Sequence, residues 1–432
     1  MKLTGLFLIL YSISFTACAQ IDTSASRYMV DTSATESISL KRLDTLAIIA
    51  NSAIKAQAFP GCQVLVAHKG KVVYYKTFGY LNYDNLEPVQ PGTIYDLASM
   101  TKTSATTMAI MRLYEEKKID LDSSLGTYLP WMKGSNKDTL KLKDILLHQA
   151  GLVATIVFYK ETINSITGLP DSTVYRSMKN DTFGVRVADN LYLRNDWEDT
   201  IRKRIVDSRL LPFGKYVYSD NDFILLGKVA EQVTGEPLDS FVDKQFYKPL
   251  EMFSTTFRPR EHFVPITNIA PTEKEKYFRM QLLRGDVHDP GAAMFGGVAG
   301  HAGLFSNAYD LAKLYMMLLN KGTWNGKPYF DSATIHLFTS YHSDISRRGY
   351  GFDKPEKDNA TNKDPYPSIY ASPETFGHTG YTGTCVWADP KEDLLFIFLS
   401  NRVCPDGGAN GLLSKLEVRR NMLNAVYKAL GK

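Results

Sequence analysis

Strand-forming segments lie at both ends of this chain, and a long stretch with mainly helical periodicity separates them. Residues 62–68 and 72–78 have strand patterns and flank a Lys-Gly dipeptide suited to a hairpin turn. Residues 383–388 and 394–401 show the same pattern near the other end. We therefore expect one antiparallel sheet built from N- and C-terminal segments and flanked by helices, with residues from about 100 to 330 inserted as a helical lobe.

The length and composition fit a single α/β domain of the α+β kind. A chain of 432 residues can bury a full core, and 44% hydrophobic with 22% charged residues is typical of a soluble globular protein. The net charge is +4, and the lysines and arginines are scattered without a basic run. Nucleic acid is therefore not an expected partner. We place the domain at residues 41–432.

The N-terminal residues have the pattern of an export signal. Residues 1–19 contain an apolar stretch that is too short to span a membrane comfortably, followed by Phe-Thr-Ala-Cys ending at Cys18. That tetrapeptide resembles a bacterial lipobox, which predicts a lipidated Cys18 and a lipid-anchored protein in the periplasm or at the outer membrane. Cleavage after Ala19 as a simple signal is the alternative. Residues 20–40 are rich in Ser, Thr and Asp and predict a flexible tether.

The other cysteines do not form a recognisable framework. Cys62, Cys385 and Cys404 are odd in number and widely spaced, which argues against a disulfide scaffold or a zinc knuckle. One disulfide in an oxidising compartment and three buried thiols remain the two alternatives.

A Ser-x-x-Lys motif begins one predicted helix. If Ser99 lies at the start of a helix over residues 99–116, Lys102 is one turn further on the same face. The amine can then act on the hydroxyl, and the helix dipole favours an alkoxide-like oxygen there. The motif alone is not specific, because Ser52 and Lys55 repeat it inside an ordinary amphipathic helix.

Two further stretches fit a serine acyl-transfer site. Tyr218 and Asp220 precede a predicted helix over residues 220–234, and a tyrosine beside a lysine can relay protons to a serine. A core tyrosine followed by a Ser/Asp N-cap is the alternative. The second stretch, Gly-His-Thr-Gly at residues 377–380, predicts a strand edge whose N–H groups could bind an oxyanion. Its alternative is a strand entry with an exposed histidine, and a similar triplet at 381–383 leaves the register open.

A glycine-rich run at residues 296–303 could pack against a ligand cleft or be a structural loop. Asp286, His288 and Asp289 precede it and form the only tight cluster of metal-binding types in the sequence. The chain has neither His-Glu-x-x-His nor Gly-x-Ser-x-Gly. We therefore expect no metal, no cofactor and no nucleophile-elbow hydrolase.

Taken together, the three motifs resemble those of the serine β-lactamase-like and penicillin-binding hydrolases. Their order and spacing match, the resemblance runs from about residue 41 to the C-terminus, and the stretches 93–101, 146–152 and 287–306 also look similar. The resemblance implies a β-lactamase/transpeptidase-like fold. It also implies that Ser99 forms an acyl-enzyme.

The resemblance assigns the remaining roles as well. Lys102 would be a base during acylation, and Tyr218 would relay protons. The N–H groups of Ser99 and Tyr381 would bind the oxyanion. Together, the substrate-binding residues would be Asp220, His378, Thr379, Gly380 and Tyr381.

Two residues depart from the family pattern and narrow the expected function. Asp220 stands where Asn is usual; it accepts rather than donates hydrogen bonds and should raise the pKa of Lys102. His378 stands where β-lactamases usually carry Lys. We expect an exported serine hydrolase acting on D-amino-acid peptides, such as cell-wall peptides, or on related amides or esters. A β-lactamase or carboxylesterase of the same family and a non-catalytic ligand-binding or sensor protein with the same fold are the alternatives. The expected ligand is a small peptide or a β-lactam-like compound.

Overall fold

The computed structural model describes residues 29–31 and 38–432. Short strands and helices alternate through this part of the chain. The strands are β1 Gly61–His68, β2 Lys71–Gly79, β3 Tyr95–Asp96, β4 Tyr175–Arg176, β5 Val185–Ala188, β6 Leu191–Leu193, β7 Thr256–Phe257, β8 Leu304–Ser306, β9 Thr323–Trp324, β10 Lys327–Pro328, β11 Phe376–Thr379, β12 Cys385–Asp389 and β13 Leu394–Ser400.

The helices follow the same order. They are α1 Leu40–Leu43, α2 Thr45–Lys55, α3 Thr107–Glu115, α4 Leu125–Tyr128, α5 Leu142–Leu146, α6 Trp197–Asp207, α7 Asp220–Thr234, α8 Leu238–Val242, α9 Pro290–Met294, α10 Ala308–Leu319, α11 Ser332–Thr339, α12 Leu412–Lys415 and α13 Val418–Ala429. Two π-helical turns, Lys102–Thr106 and Asp243–Tyr247, and three 3₁₀ turns, Pro130–Met132, Phe158–Thr162 and Ile266–Asn268, complete the set within the described residues.

The main sheet is assembled from both ends of the chain, which confirms the expected antiparallel architecture. Its strand order is β11-β12-β13-β1-β2, so the N-terminal hairpin pairs with the C-terminal strands through β1 and β13. The hairpin turn is also as expected. Lys69 and Gly70 have φ of 51° and 72°, the left-handed pair of a two-residue turn that matches strand twist.

The sheet is buried on both faces because alternate side chains of its strands enter different cores. On β1, Val64 and Val66 pack with the helices formed by the two chain ends, α1, α2 and α13. Leu65 and Ala67 pack in the core on the other side, against α10 and the inserted lobe. This alternation follows from the two-residue period of a strand, and each fully buried branched side chain contributes about 1.5–3 kcal/mol. The result is a sheet between two helical layers.

The inserted region is less purely helical than the sequence pattern predicts. It contains a small antiparallel sheet β4-β6-β5, and its strand β8 pairs with β3 and β7. These strands have two to four residues, too few to show a two-residue period clearly. The β3–β8 pairing matters for the site because β3 ends at Asp96, three residues before Ser99.

The sequence predicts where helices lie better than it predicts whether a helix is continuous. Helix α7 spans residues 220–234 as expected and ends at Gly235, whose φ of 69° stops it. The apolar periodicity of residues 412–430 predicts a single amphipathic helix, but the structure divides this segment into α12 and α13, where Glu417 has φ of 48°. A left-handed residue cannot continue a right-handed helix, and the residue type alone does not reveal it.

The predicted signal at residues 1–19, including Cys18, lies outside the described residues. Of the predicted tether at 20–40, Ile38 is buried and Leu40 begins α1. Within residues 29–31 and 38–432, no helix is long and apolar enough to cross a bilayer. Cys62, Cys385 and Cys404 are buried free thiols.

Candidate active site

Ser99 lies in a turn between β3 and the helix that begins at Met100. The preceding Ala98 has φ of 48°, a left-handed conformation that is strained for a residue with a Cβ. Buried Asp96 holds this turn: one carboxylate oxygen accepts the Ala98 N–H at 2.8 Å, and the other accepts the His288 N–H at 2.6 Å. These bonds maintain the strain, and the Ser99 side chain that follows is partly exposed.

Lys102 is the first residue of a π-helical turn, a wide turn that is often found at functional sites. Its side chain has no solvent exposure. The Nζ atom lies 3.0 Å from Ser99 Oγ, 2.7 Å from Asp220 Oδ1 and 3.3 Å from the His301 carbonyl oxygen. An ammonium has three N–H donors, and these three acceptors use all of them.

The charge of Lys102 is set by competing effects. Burial by itself would lower its pKa, but the negative charge of Asp220 and the neighbouring Tyr218 together hold the pKa of Lys102 above its usual value. Lys102 is therefore an ammonium in the free protein and donates a hydrogen bond to Ser99 Oγ. To act as a base, Lys102 would first have to lose a proton. The carboxylate at hydrogen-bond distance that could accept it is Asp220.

Tyr218 covers this ammonium from the cleft side. Its ring centroid lies 4.8 Å from Lys102 Nζ, 4.6 Å from the ring of His148 and 6.0 Å from the ring of His378. It is half-buried rather than a core tyrosine. Ser219 is the N-cap residue of α7, but its hydroxyl donates to the Val153 carbonyl at 2.7 Å and does not cap the helix.

A buried His148–Asp222 pair lies beneath Tyr218. His148 Nδ1 lies 2.6 Å from Asp222 Oδ2 and also accepts the Ser219 N–H at 3.2 Å. Because Nδ1 is thus an acceptor, Asp222 carries the shared proton; burial raises the pKa of Asp222 and lowers that of His148. The pair is a neutral support for Tyr218. Sequence reasoning gave it no role, although His148 lies in the 146–152 stretch that carries the family resemblance.

His378 lies on the edge strand β11 and is 3% exposed, so the alternative interpretation, in which this histidine is exposed, is wrong. Arg348 Nη1 donates to His378 Nε2 at 3.1 Å. Since arginine cannot accept a hydrogen bond, the imidazole proton is on Nδ1, which donates to the Thr379 carbonyl at 2.7 Å. Burial, together with the charge of Arg348, lowers the pKa of His378 to about 3.

Arg348 is the residue that sequence reasoning missed without any local signal. It is 3% exposed, donates to the Tyr216 hydroxyl at 3.2 Å and lies 3.6 Å from Asp353. Its guanidinium also lies 5.3 Å from the centroid of the Tyr218 ring. The motif that carries lysine in β-lactamases thus has a neutral histidine here, with a buried arginine behind it.

The end of β11 is fixed against the Ser99 turn. Thr382 Oγ1 donates to the Asp96 carbonyl at 2.7 Å and Thr384 Oγ1 to the Leu97 carbonyl at 3.1 Å. A Cβ on Gly380 would collide with Leu97 O and Thr384 Oγ1, so only glycine permits this approach. Strand β11 ends at Thr379, which settles the register in favour of the first glycine triplet.

Tyr381 follows directly and is 58% exposed, with its ring centroid 5.6 Å from that of His288. Its place after Gly380 puts its backbone on the segment that is docked against the Ser99 turn.

The glycine-rich run packs behind Lys102. Gly300 leaves no room for a side chain beside the Phe223 backbone of α7, and its carbonyl accepts the Thr106 hydroxyl at 2.6 Å. The next residue, His301, supplies the carbonyl that contacts Lys102. The run is therefore both a tight packing element and one wall of the site.

Asp286, His288 and Asp289, which precede this run, do not form a common metal site, because each side chain pairs with a different residue. Asp286 pairs with Arg186 at 2.9 Å, His288 with Glu273 at 3.0 Å, and Asp289 with His301 at 2.8 Å. Among the described residues, no group of three or more His, Cys, Asp or Glu side chains is arranged to hold a metal ion.

Comparisons with known proteins agree with this geometry. The family model described as Beta-lactamase matches residues 49–416. The chain is 31% identical over 428 residues to a protein of Escherichia coli strain K12 named "Putative D-alanyl-D-alanine carboxypeptidase", covering 93% of this chain and 91% of that protein. A protein of Salmonella enteritidis PT4 with the same name is 32% identical over 369 residues, covering 80% and 79%.

Solved structures show the same fold. A penicillin-binding protein homologue from Caulobacter crescentus superposes with a TM-score of 0.64 at 21% identity, covering 91% of this chain and 98% of the other. A hydrolase with promiscuous acyltransferase activity, EstCE1, gives a TM-score of 0.64 at 21% identity over 90% and 99%.

The neutral His378 predicts a pH-dependent stability. Its pKa of about 3 in the folded protein is below its usual value of 6.5, so between these values the unfolded chain binds more protons. The free energy of unfolding should therefore fall by up to about 1.4 kcal/mol per pH unit as the pH drops from about 6.5. Urea unfolding at several pH values should give a flatter profile for His378→Gln, whereas exposed His262→Gln should keep the wild-type slope. Equal slopes in all three proteins would contradict the assignment.

Proposed function

We propose, on the premise that this chain belongs to the beta-lactamase family, that it is a serine hydrolase that forms an acyl-enzyme through Ser99 and acts on D-amino-acid peptides. The observation that carries the proposal is the contact of Lys102 Nζ with both Ser99 Oγ and Asp220 Oδ1, at 3.0 and 2.7 Å. A buried ammonium at hydrogen-bond distance from a cleft serine stabilises negative charge on that oxygen.

The proposed chemistry divides the work between Lys102 and Tyr218. Ser99 Oγ attacks the substrate carbonyl carbon and passes its proton to the Tyr218 oxygen, while the Tyr218 hydroxyl passes its own proton to the leaving nitrogen and the Lys102 ammonium stabilises the developing charge. The bond from the carbonyl carbon to the protonated nitrogen breaks, which leaves Tyr218 with one proton as before. Water cleaves the resulting Ser99 ester to release the acid and restore the hydroxyl.

The substrate class is supported by the relatives. The Escherichia coli and Salmonella proteins are both named "Putative D-alanyl-D-alanine carboxypeptidase", and a D-alanyl leaving group carries a terminal carboxylate. On the His378 side of Ser99, buried Arg348 donates to the imidazole at 3.1 Å and lies 3.6 Å from Asp353.

Substitution of Ser99 tests its role as the nucleophile. Ser99→Ala should abolish covalent labelling by a fluorophosphonate and the hydrolysis of a D-Ala-D-Ala peptide. Ser52→Ala removes the exposed serine of the second Ser-x-x-Lys copy on α2 and should label and hydrolyse as the wild type does. Intact-protein mass spectrometry measures labelling, and a panel of the peptide, a β-lactam and a short-chain ester measures turnover. Labelling that persists in Ser99→Ala would overturn the proposal. Labelling without turnover of any substrate would identify a sensor instead.

Substitution of Tyr218 tests the proton relay. Tyr218→Phe keeps the ring over Lys102 but removes the hydroxyl, so steady-state kcat should fall by about 10²- to 10⁴-fold. Tyr83→Phe removes a phenol that donates to the Gln57 carbonyl outside the cleft and should leave kcat near the wild-type value. A near-normal kcat for Tyr218→Phe would remove Tyr218 from the mechanism.

The location of the protein is also a proposal. The signal pattern at residues 1–19 and the lipobox-like sequence ending at Cys18 support export and a lipid anchor, which would bring the hydrolase to the cell-wall compartment. Wild-type protein expressed in a Gram-negative host should fractionate with membranes and show the mass of an acylated N-terminal cysteine. Cys18→Ala should lose both properties, whereas Cys404→Ala should keep them. Wild-type protein without lipid mass in the soluble fraction would contradict the anchor.

A further inference from the structure

A pocket at the start of β11 is separate from the site around Ser99. Its volume is about 960 Å³, within the range of about 300–1,000 Å³ that is typical of small-molecule sites. The lining includes residues of α10 and α11, the first residue of β11 and the β12–β13 turn. Its apolar part includes Leu318, Leu319, Ile335, Tyr341, Phe376 and Pro390. None of the residues assigned above to catalysis or substrate binding belongs to this lining.

Lys354 is the buried cation of this pocket. The residue is 1% exposed, and its Nζ donates to the Thr375 carbonyl at 3.1 Å. The ring of Tyr341 lies near the same nitrogen, with its centroid at 4.6 Å. The part of the chain that the structure describes offers this Nζ no further hydrogen-bond acceptor and no ion pair. Because an ammonium has three N–H donors, two of them lack an oxygen acceptor.

The other buried lysines among the described residues show that this is unusual for the protein. Lys102 donates to the three acceptors described above. Lys137, which is also fully buried, donates to three oxygens at 2.5–3.0 Å. Buried polar groups normally have partners. The unused donors of Lys354 therefore point to a ligand in the pocket that it lines.

The charge of Lys354 is compensated only at a distance. Burial lowers the pKa of Lys354 to about 8. The negative charges of Asp389, Glu374 and Asp353 act against this shift without cancelling it. Asp353 is paired with two arginines, and Asp389 accepts two buried hydroxyl groups. A bound anion would supply the direct partner that these carboxylates do not provide.

The lining as a whole has an excess of positive charge. Lys321 and Glu374 are exposed and have opposite charges, so they offset each other. His336 also belongs to the lining, and it can only be neutral or positive. The buried ammonium of Lys354 therefore leaves the pocket positive whatever the state of His336.

From this arrangement we infer that the pocket binds an apolar molecule that carries one carboxylate, and that this carboxylate lies on Lys354 Nζ. The two oxygens of a carboxylate accept the two N–H groups that the protein leaves unused. One negative charge balances one ammonium, whereas a neutral or cationic head group would leave it uncompensated. The apolar body packs along α10 and α11, where its surface is removed from water. The inference does not rest on the proposed hydrolase, because this pocket and the residues proposed for the reaction do not overlap.

Calorimetric titration of the wild-type protein at pH 7 compares three eight-carbon probes that differ in the head group. The probes are octanoate, octan-1-ol and octylammonium. We expect octanoate to bind at least tenfold more tightly than octan-1-ol, because only octanoate forms a charge-assisted hydrogen bond with the ammonium, and octylammonium to bind most weakly. Equal affinities for octanoate and octan-1-ol, a preference for octylammonium, or no binding of octanoate would each overturn the inference.

Two lysine variants test where the carboxylate lies. Lys354→Met removes the charge but keeps a long unbranched side chain. It should weaken octanoate binding at least tenfold and leave octan-1-ol binding within about twofold of the wild type. Lys321→Met removes an exposed lysine of the same lining and should keep the wild-type affinities. An equal loss of octanoate binding in both variants would assign the binding to surface charge and overturn the inference.

A third variant tests the pocket without altering Lys354, and so does not depend on the folding of Lys354→Met. Ala333→Trp places a large ring at an exposed α11 position of the lining and should weaken the binding of octanoate and octan-1-ol alike by at least tenfold. Ala360→Trp, at an exposed position outside the lining, should bind both probes as the wild type does. Wild-type affinity for octanoate in Ala333→Trp would place the binding elsewhere and overturn the inference.

Discussion

The site depends on keeping one ammonium charged inside the protein. Lys102 is fully buried and would lose its proton to desolvation if it stood alone. Asp220 compensates it at 2.7 Å, and the Ser99 hydroxyl and the His301 carbonyl take its remaining N–H groups. Each partner comes from a different segment, so the ammonium ties the Ser99 turn, the start of α7 and the glycine-rich loop together. An unpaired buried charge costs several kcal/mol, which makes this convergence a requirement of the fold as well as of the chemistry.

The sheet supplies the geometry that this convergence needs. Joining the two chain ends through β1 and β13 places β11 at the edge of the sheet, and the threonine bonds after β11 fix that edge to Leu97 and Asp96. The small β3–β8 pairing holds the other side of the Ser99 turn. Long-range pairing thus brings together motifs that are more than a hundred residues apart.

Several titratable groups around this frame are neutral, which limits the repulsion between charges in the site. The His148–Asp222 pair shares one proton and is neutral, and His378 is neutral because it accepts from Arg348. His378 stands where β-lactamases usually carry lysine, so a neutral imidazole takes the place of an ammonium on that side of the site. On the other side, Asp220 pairs with Lys102 and Asp289 with His301.

The sequence by itself determined the sheet built from both ends, the extent of α7, and the order of the Ser99, Tyr218 and His378 motifs, because strand alternation, helix stops and motif spacing are local patterns. Short strands such as β3 and β8, the break at Glu417 and the π-turn at Lys102 were not predicted, since backbone conformation there is imposed by packing. Only the tertiary structure decided that Arg348 lies behind His378 and that Asp289 pairs with His301 beside Asp220. Those facts depend on distances between segments remote in sequence and on the burial that comes with them, neither of which a local pattern encodes.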